Sequence, residues 1–515
     1  MSSHKPNSIR EQISIIRQLS AREMKAHERR EKVTELIVED LKSTGQFFKT
    51  SEGLFYFDRA DSPRVLPIEV DSLALGALMQ DRYGINKAER AEFEHIISGL
   101  ENEAYLNGEE VEVHRLAHYD AESERLYVSR FDGSVHRLDG KQIRLIPNGT
   151  DAIFFWDNPS WKPYELIRDA KTDRLFEQFV TSSANFAESG KLSFRDQQWL
   201  FSIWCYSQFF GSLHPTKPLL LTCGEKGGGK TLALRKWLKL LFGGGADVTA
   251  LERGKPDGFV AAVCSLPIAV FDNVDEHVSW LPDHLAQLAT GITFRRRKYY
   301  TTNQSVEFHP QCFVALTSRT PKFIEGRDDV LDRTLILQTE RRRIFLPEEI
   351  QLTQIAKSRN LLWTELLRYL NRIVAQLKES RGQSIELSVR MADFARFALT
   401  AARADGQEEM ARRILETMES RRTEMLLSEE PISLCLERWL AVPENVGRLV
   451  SSADLNRELG FIASCHEISW PYKSAHALGQ RLSHITTELQ DQFQVQIMRD
   501  SSNVLSYALK PRLNH

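Results

Sequence analysis

Apolar positions change their period several times along this chain, and each change marks a different kind of element. Between residues 9 and 43, Ile13, Ile16, Leu19 and Met24, then Val33, Leu36, Ile37 and Leu41, recur at nearly helical three-four spacing among Glu, Lys and Arg. That predicts a charged, exposed helix over residues 1–45, its polar residues a solvated face, an oligomer contact or an arm on DNA. From Gly45 the runs shorten and alternate, turn helical over Ala74–Leu100, then alternate again through EVEVHRLAHYD, RLYVSRFDGSVHRL and KQIRLI. Ser51-Glu52-Gly53, Asp132-Gly133, Asp139-Gly140 and Asn148-Gly149 suit tight hairpins between these strands. Residues 46–158 therefore read as a small α+β domain. His114 and His118, with Glu112 and Asp120, share one face of a strand, yet residues spread along a strand stand too far apart to hold one ion. They read as surface histidines.

Residues 159–215 look helical, with aromatic spacing that argues for burial between domains. The pattern is α/β over 216–345 and amphipathic-helical over 346–440, a lid or bundle. In 441–515 Ser451 precedes a helix carrying Leu455, Leu459 and Ile462, and Ser474 precedes another carrying Leu478, Leu482, Ile485 and Leu489. Val495–Met498 and Val504–Leu509 then form a closing hairpin.

Composition narrows the class. With 515 residues, 42% hydrophobic and 27% charged, the chain can fill several cores, and wholesale disorder is excluded. No window approaches the ~18–20 apolar residues of a membrane span, and the N-terminal residues lack a signal peptide's apolar stretch, so a cytoplasmic protein with no membrane partner is expected. Six scattered cysteines without a CxxC pair argue against disulfides and zinc. A net charge of −3 means that any nucleic-acid contact comes from local basic patches.

The chemistry concentrates after Pro215. A buried strand, Leu219–Cys223, leads into Gly224-Glu225-Lys226-Gly227-Gly228-Gly229-Lys230-Thr231 and then an amphipathic helix, the strand–loop–helix setting of the P-loop GxxxxGK[ST]. Glycines let backbone N–H groups converge on phosphate oxygens at a helix N-terminus. Lys230 would meet the β/γ-phosphates and Thr231 would bind Mg²⁺, which makes ATP and Mg²⁺ the expected cofactors. A second apolar strand, Leu266–Phe271, ends in Asp272, the metal candidate; a carboxylate to polarise water usually follows directly, but Asn273 stands there. Asp275 and Glu276 remain alternatives as the base. A third strand, Gln311–Leu316, ends in Thr317-Ser318, with Ser318 placed to feel the γ-phosphate. Arg333 is the arginine-finger candidate and Arg327 the second; a surface ion pair with Asp329 or Asp332 is the plainer reading.

This order of motifs resembles the helicase core of superfamily three and its AAA+ relatives, which include poxvirus-type and phage or plasmid primase-helicases and replication helicases of mobile genetic elements. The resemblance spans residues 216–345. It implies an α/β fold with a P-loop AAA+ type ATPase core, and a hexameric ring with a basic hairpin in its channel. Arg295, Arg296, Arg297, Lys298 and Tyr299 occupy the hairpin's place. Cations followed by tyrosines also suit DNA unaided, since cations track phosphates and aromatic faces stack on bases; a solvated charge run is the other reading. The family's sensor reads Thr-Asn with a nearby Pro, where this chain has Thr317-Ser318 and Pro321.

The tail resembles a winged helix, whose second helix would present Lys473, His476, Gln480, Arg481 and His484 to a major groove, with Arg499 on the wing. Docking to a protein is the alternative. No catalytic acidic pair with a companion histidine precedes the P-loop, so a separate primase or loader is the expected partner, and residues 46–158 resemble the accessory region before such helicase cores, a DNA-entry collar or an oligomerisation surface. The resulting expectation is an ATP-dependent DNA helicase or replication initiator acting on single-stranded or forked DNA. The alternatives are a slow ATP-gated DNA-binding switch or scaffold without unwinding, in regulation or anti-phage defence, and a protein remodeller.

Overall fold

The structure, a computed structural model, describes residues 8–511 apart from 21, 60–62, 157, 189–190, 253, 276–277, 292–293, 298–304, 309–310, 321–323, 325–326, 383–388, 429 and 500–504. The chain gathers into two compact units. The first takes most of residues 1–411; the second takes 412–515 with two short earlier segments, the later being 325–332.

The first unit begins with α1 (Ile9–Gln18), closed by a capping box between Ser8 and Glu11, and α2 (Ala26–Thr44). Here the expected single exposed helix is corrected. Ile13, Val33, Ile37 and Leu41 are at most 1% exposed and share one core cluster with Phe93, Ile96, Ile97 and Leu100. The charged residues sit on the other face, as on any helix packed along one stripe. The chain passes directly from α2 into β1 (Gly45–Thr50), which pairs with β2 (Gly53–Asp58) across Ser51-Glu52. β3 (Arg64–Pro67) and β4 (Glu109–Glu110) complete a sheet of order β3-β2-β1-β4, backed by α3 (Leu73–Tyr83) and α4 (Arg90–Asn107).

β5 (Val113–His114) precedes an antiparallel meander of β6 (Ala117–Asp120), β7 (Arg125–Ser129), β8 (Ser134–Leu138) and β9 (Ile143–Pro147), and β10 (Phe154–Phe155) pairs with β5. His114 and His118 thus lie on separate strands. Their rings stack at 3.9 Å between centroids, and burial pushes the His114 imidazole down to about 3. They are packing groups and not surface histidines.

Residues 160–174 are also not helical. They lie as an extended strap: Ile167 N donates to Thr364 Oγ1 (2.9 Å), and Arg368 donates to the carbonyls of Arg168 and Ala170 (2.6 and 2.7 Å). Helix returns in α5 (Leu175–Phe179), whose first amides donate to the Glu365 carboxylate, and in α6 (Phe194–Ser207).

At the centre lies a five-stranded parallel sheet built from β11 (Leu219–Gly224), β12 (Thr249–Ala250), β13 (Ile268–Asp272), β16 (Phe313–Ser318) and β17 (Thr334–Thr339). Its order is β12-β13-β16-β11-β17. β11, β13 and β16 read as nearly unbroken apolar runs because both their faces are covered. α7 (Lys230–Phe242), α8 (Asp257–Ser265) and α9 (Leu281–Ala289) connect these strands. Between α9 and β16, β14 (Phe294–Arg297) pairs antiparallel with β15 (Ser305–Phe308). α7 packs against α11 (Glu348–Glu379), whose buried Arg359 donates to the carbonyls of Leu240 and Leu241 at the end of α7, a favourable place for a cation. α12 (Ala392–Arg403) follows.

The second unit holds α10 (Asp328–Leu331) and the greater part of α13 (Glu408–Ser428). It continues with α14 (Pro431–Leu440), α15 (Ser452–Cys465), α16 (Ala475–His484) and α17 (Thr486–Gln492). A three-stranded sheet joins β18 (Leu449–Ser451), β20 (Leu505–Pro511) and β19 (Phe493–Arg499), in that order. Ser451 and Ser474 cap α15 and α16, and Leu478, Leu482, Ile485 and Leu489 are all buried in the unit's core.

Candidate functional site

Parallel strands bring their C-terminal ends to one edge, so the register of the central sheet decides which residues meet. Cys223 of β11 lies beside Ser318 of β16, and Leu316 beside Phe271 of β13. The glycine-rich loop, Asp272 and the Thr317–Arg319 segment therefore share one edge, with β16 between the loop's strand and the acidic strand.

The loop is shaped by its neighbours. Gly224 and Gly229 both have positive φ, 134° and 79°, and a Cβ would meet Thr339 O at 1.9 Å in the first case and Ser183 O at 2.0 Å in the second. Only glycine fits. Asn185 N donates to Gly228 O (2.8 Å), Arg342 N to Gly227 O (3.2 Å), and Thr339 Oγ1 to Cys223 O (3.0 Å). Buried Lys236 of α7 donates to Ser183 Oγ (2.7 Å) and Gln351 Oε1 (2.9 Å), and burial pushes its ammonium down to about 8. Within the loop, Lys230 Nζ donates to the carbonyls of Gly224 (2.5 Å) and Glu225 (2.9 Å). Its pKa lies below the usual lysine value, chiefly through burial, with Arg319 adding to the shift and Asp275 and Asp272 opposing it. Glu225 and Lys226 are exposed.

Across from the loop, Thr231 Oγ1 donates to Asp272 Oδ1 at 2.7 Å, and Thr317 Oγ1 donates to the same oxygen. Hydroxyl and carboxylate together are hard oxygen donors of the kind Mg²⁺ takes, and Lys230 on a helix N-terminus suits phosphate. The donor set fits both groups.

Asn273 has φ of 59°, and its N–H donates to Thr317 Oγ1 at 3.1 Å. A left-handed residue that is not glycine is most often Asn or Asp, which supplies a backbone reason for Asn where an acidic residue is expected. Asp275 is engaged on both oxygens: Oδ1 accepts from Arg319 N (2.6 Å) with Ser318 Oγ at 3.1 Å, and Oδ2 faces Arg319 Nε at 3.0 Å. Glu276 lies outside the described residues.

Ser318 is buried, and its hydroxyl lies within hydrogen-bond reach of Val274 O (3.0 Å), Thr320 O (2.6 Å) and Asp275 Oδ1 (3.1 Å), which pins the loop after β13. Arg327 is ion-paired with Asp329 at 3.0 Å. Arg333 precedes β17, its carbonyl accepting from Leu219 N, at the sheet edge opposite the glycine loop. About five residues at ~3.3 Å each separate it from its own loop, so it cannot serve that loop in cis.

The hairpin backbone is present as β14 and β15, with Arg295 opposite Glu307, while Lys298 and Tyr299 lie outside the described residues and the Arg295, Arg296 and Arg297 side chains are likewise not described. In the second unit Lys473 and Gln480 are exposed. Arg481 is ion-paired, its guanidinium binding Glu430 at 2.8 Å and Asp328 at 3.0 Å.

The sequence pairs Thr317 with Ser318 at the end of one strand, and it is Thr317 that reaches Asp272; strand alternation separates the two. Asn185 carries no local motif and reaches the loop through tertiary packing. Arg319 was visible only as a polar residue after β16.

No family model matches the chain, and no curated protein matches it. Among solved structures, the apo A form of the NrS-1 C-terminal region is similar at 13% identity and a TM-score of 0.40, over 92% of this chain and 98% of that one. The SCCmec type IV Cch active helicase is similar at 11% identity and a TM-score of 0.42, over 89% of this chain and 90% of that one.

Proposed function

We propose that the chain is an ATP-dependent DNA helicase or replication initiator of a phage-like or mobile-element replicon, working as a ring. The observation that carries this reading is the meeting of Thr231 and Asp272 across a glycine loop that ends in Lys230 at a helix N-terminus. In this reading Gly224–Thr231 cradle the triphosphate, Lys230 meets its β/γ-phosphates, and Thr231 with Asp272 hold Mg²⁺. The metal supplies charge neutralisation when bound. Asp275 takes the proton of the attacking water, with Glu276 as the alternative. Arg333, set at the far sheet edge, serves a neighbouring subunit, which makes a ring the natural assembly. The β14–β15 hairpin, carrying Arg295–Arg297 into Lys298 and Tyr299, grips the DNA backbone and stacks on bases. The second unit acts as a winged helix that reads or loads DNA, with a separate primase or loader as partner.

The test is ATP turnover with and without single-stranded DNA, beside unwinding of a forked duplex, for wild type and Lys230→Ala. DNA-stimulated turnover with unwinding, both lost in the variant, is the expected result; tight nucleotide binding with neither sinks it.

A second reading, a slow ATP-gated DNA-binding switch, is favoured by two details: no carboxylate directly follows Asp272, and Asp275 is held by Arg319. It predicts nucleotide-dependent assembly without strand separation.

A further inference from the structure

Asp275 is an awkward base as it stands. A carboxylate that is to take a proton from water needs an oxygen turned to that water, and both of its oxygens are committed to Arg319, one to the backbone N–H and the other to Nε. Arg319 follows β16, the strand beside the glycine loop's own strand, so its backbone stands at the loop's edge of the sheet. The side chain is 53% exposed while that of Asp275 is 21% exposed, and Arg319 is close enough to Lys230 to act on its charge.

We propose that Arg319 reads the terminal phosphate of a bound nucleoside triphosphate in cis and that Asp275 is its resting partner. This inference rests on the nucleotide reading above. The chemistry favours an exchange of partners. A half-exposed single ion pair is weak because water and salt screen it. A terminal phosphate carries more charge than one carboxylate and offers oxygens that match the guanidinium fork. When the guanidinium turns to the phosphate, Oδ2 of Asp275 is released, while Oδ1 stays anchored by Arg319 N and Ser318 Oγ.

Hydrolysis then balances: a water oxygen bonds the γ-phosphorus and its proton passes to Oδ2 of Asp275. The bond from that phosphorus to the β–γ bridging oxygen breaks, and the bridging oxygen leaves with the diphosphate and the electron pair. The diphosphate product lacks the group that held Arg319, and the ion pair re-forms. Arg319 therefore couples the presence of the γ-phosphate to the readiness of the base, and it fits a site with asparagine directly after Asp272.

The experiment uses the full chain and compares equilibrium binding of a non-hydrolysable ATP analogue with that of ADP, both fluorescently labelled. The proteins are wild type, Arg319→Ala, Arg319→Gln, Asp275→Asn and Lys230→Ala. Losing one charge-assisted contact should weaken the triphosphate analogue about tenfold or more in both Arg319 variants and leave ADP within about twofold. Asp275→Asn should tighten the triphosphate analogue and abolish turnover. Equal losses for both nucleotides, or no loss, would overturn the role of Arg319 while a binding defect in Lys230→Ala keeps the nucleotide reading intact. Wild type that binds neither nucleotide would overturn that reading itself. Arg319→Gln keeps the stem and the backbone donor, so the comparison survives if the alanine variant fails to fold.

Discussion

Thr231 and Asp272 meet at 2.7 Å although 41 positions separate them, one from the first turn of α7 and the other from the end of β13. Thr317 shares the same carboxylate oxygen. Asp272→Asn preserves shape and removes the charge that a divalent cation requires. Nucleotide affinity should change by a few fold at most, while Mg²⁺-dependent turnover falls roughly a hundredfold or more. Steady-state hydrolysis across a Mg²⁺ titration, beside labelled-ADP binding, checks both parts.

Asn273 yields a prediction that separates the two functional readings. Its left-handed backbone, φ 59°, is exchanged for glycine at little cost, whereas Asn273→Val should lose ~1–2 kcal/mol in denaturant unfolding. If Asp275 is the base, Asn273→Glu should leave ATP turnover nearly unchanged. A large rise in turnover would show that the asparagine itself holds hydrolysis back, as the switch reading requires.

Elements whose cause is local were the ones legible in the sequence. The hairpin turns at Asp132-Gly133 and Asp139-Gly140, the caps Ser451 and Ser474, and the strand–glycine loop–helix unit all follow from short-range chemistry. The burial of α1 and α2 is not legible, because a helix with one apolar stripe looks the same in sequence whether it covers a core or a partner. The 160–174 strap is not legible because its partners, Thr364 and Arg368, lie about 200 residues away. At the site, the spacing names Lys230, Thr231 and Asp272 as candidates, and the fold brings Thr231 and Asp272 within 2.7 Å of each other. The capture of Asp275 by Arg319, and the partners of the Ser318 hydroxyl, depend on how the segments after β13 and β16 meet, which no sequence periodicity marks.

Arg481 divides a packing role from a DNA role. Glu430 is 5% exposed and accepts from Arg481 and from Tyr472 at 2.6 Å, so Arg481→Ala leaves a buried carboxylate without its cation. The second unit should lose ~3–5 kcal/mol, read as an early melting step or faster proteolysis between α14 and β20. Lys473→Ala with Gln480→Ala, both exposed positions, should leave stability within about 0.5 kcal/mol and weaken DNA binding if α16 lies on DNA. Unchanged DNA affinity in that double variant would favour a protein partner for this face.

His214 sets a pH dependence whose sign follows from burial. It is fully buried against Phe313 and Phe397, neither ring nitrogen has a hydrogen-bond partner among the described residues, and burial, helped by Lys217, pushes its pKa down to about 3. The folded chain keeps the ring neutral, whereas the unfolded chain protonates it near pH 6.5. Between those two values unfolding takes up a proton, so stability is lost as pH falls from about 6.5 towards 3, at up to ~1.4 kcal/mol per pH unit for this one residue. His114 and His136, held down to about 3 and about 4 by burial, act in the same direction. Urea midpoints at pH 7, 6 and 5 should therefore fall with acidity in wild type, and His214→Phe, which keeps the aromatic packing, should flatten the slope without removing it. An unchanged slope in that variant would mean that the ring already carries its proton, or finds a partner, in the folded chain.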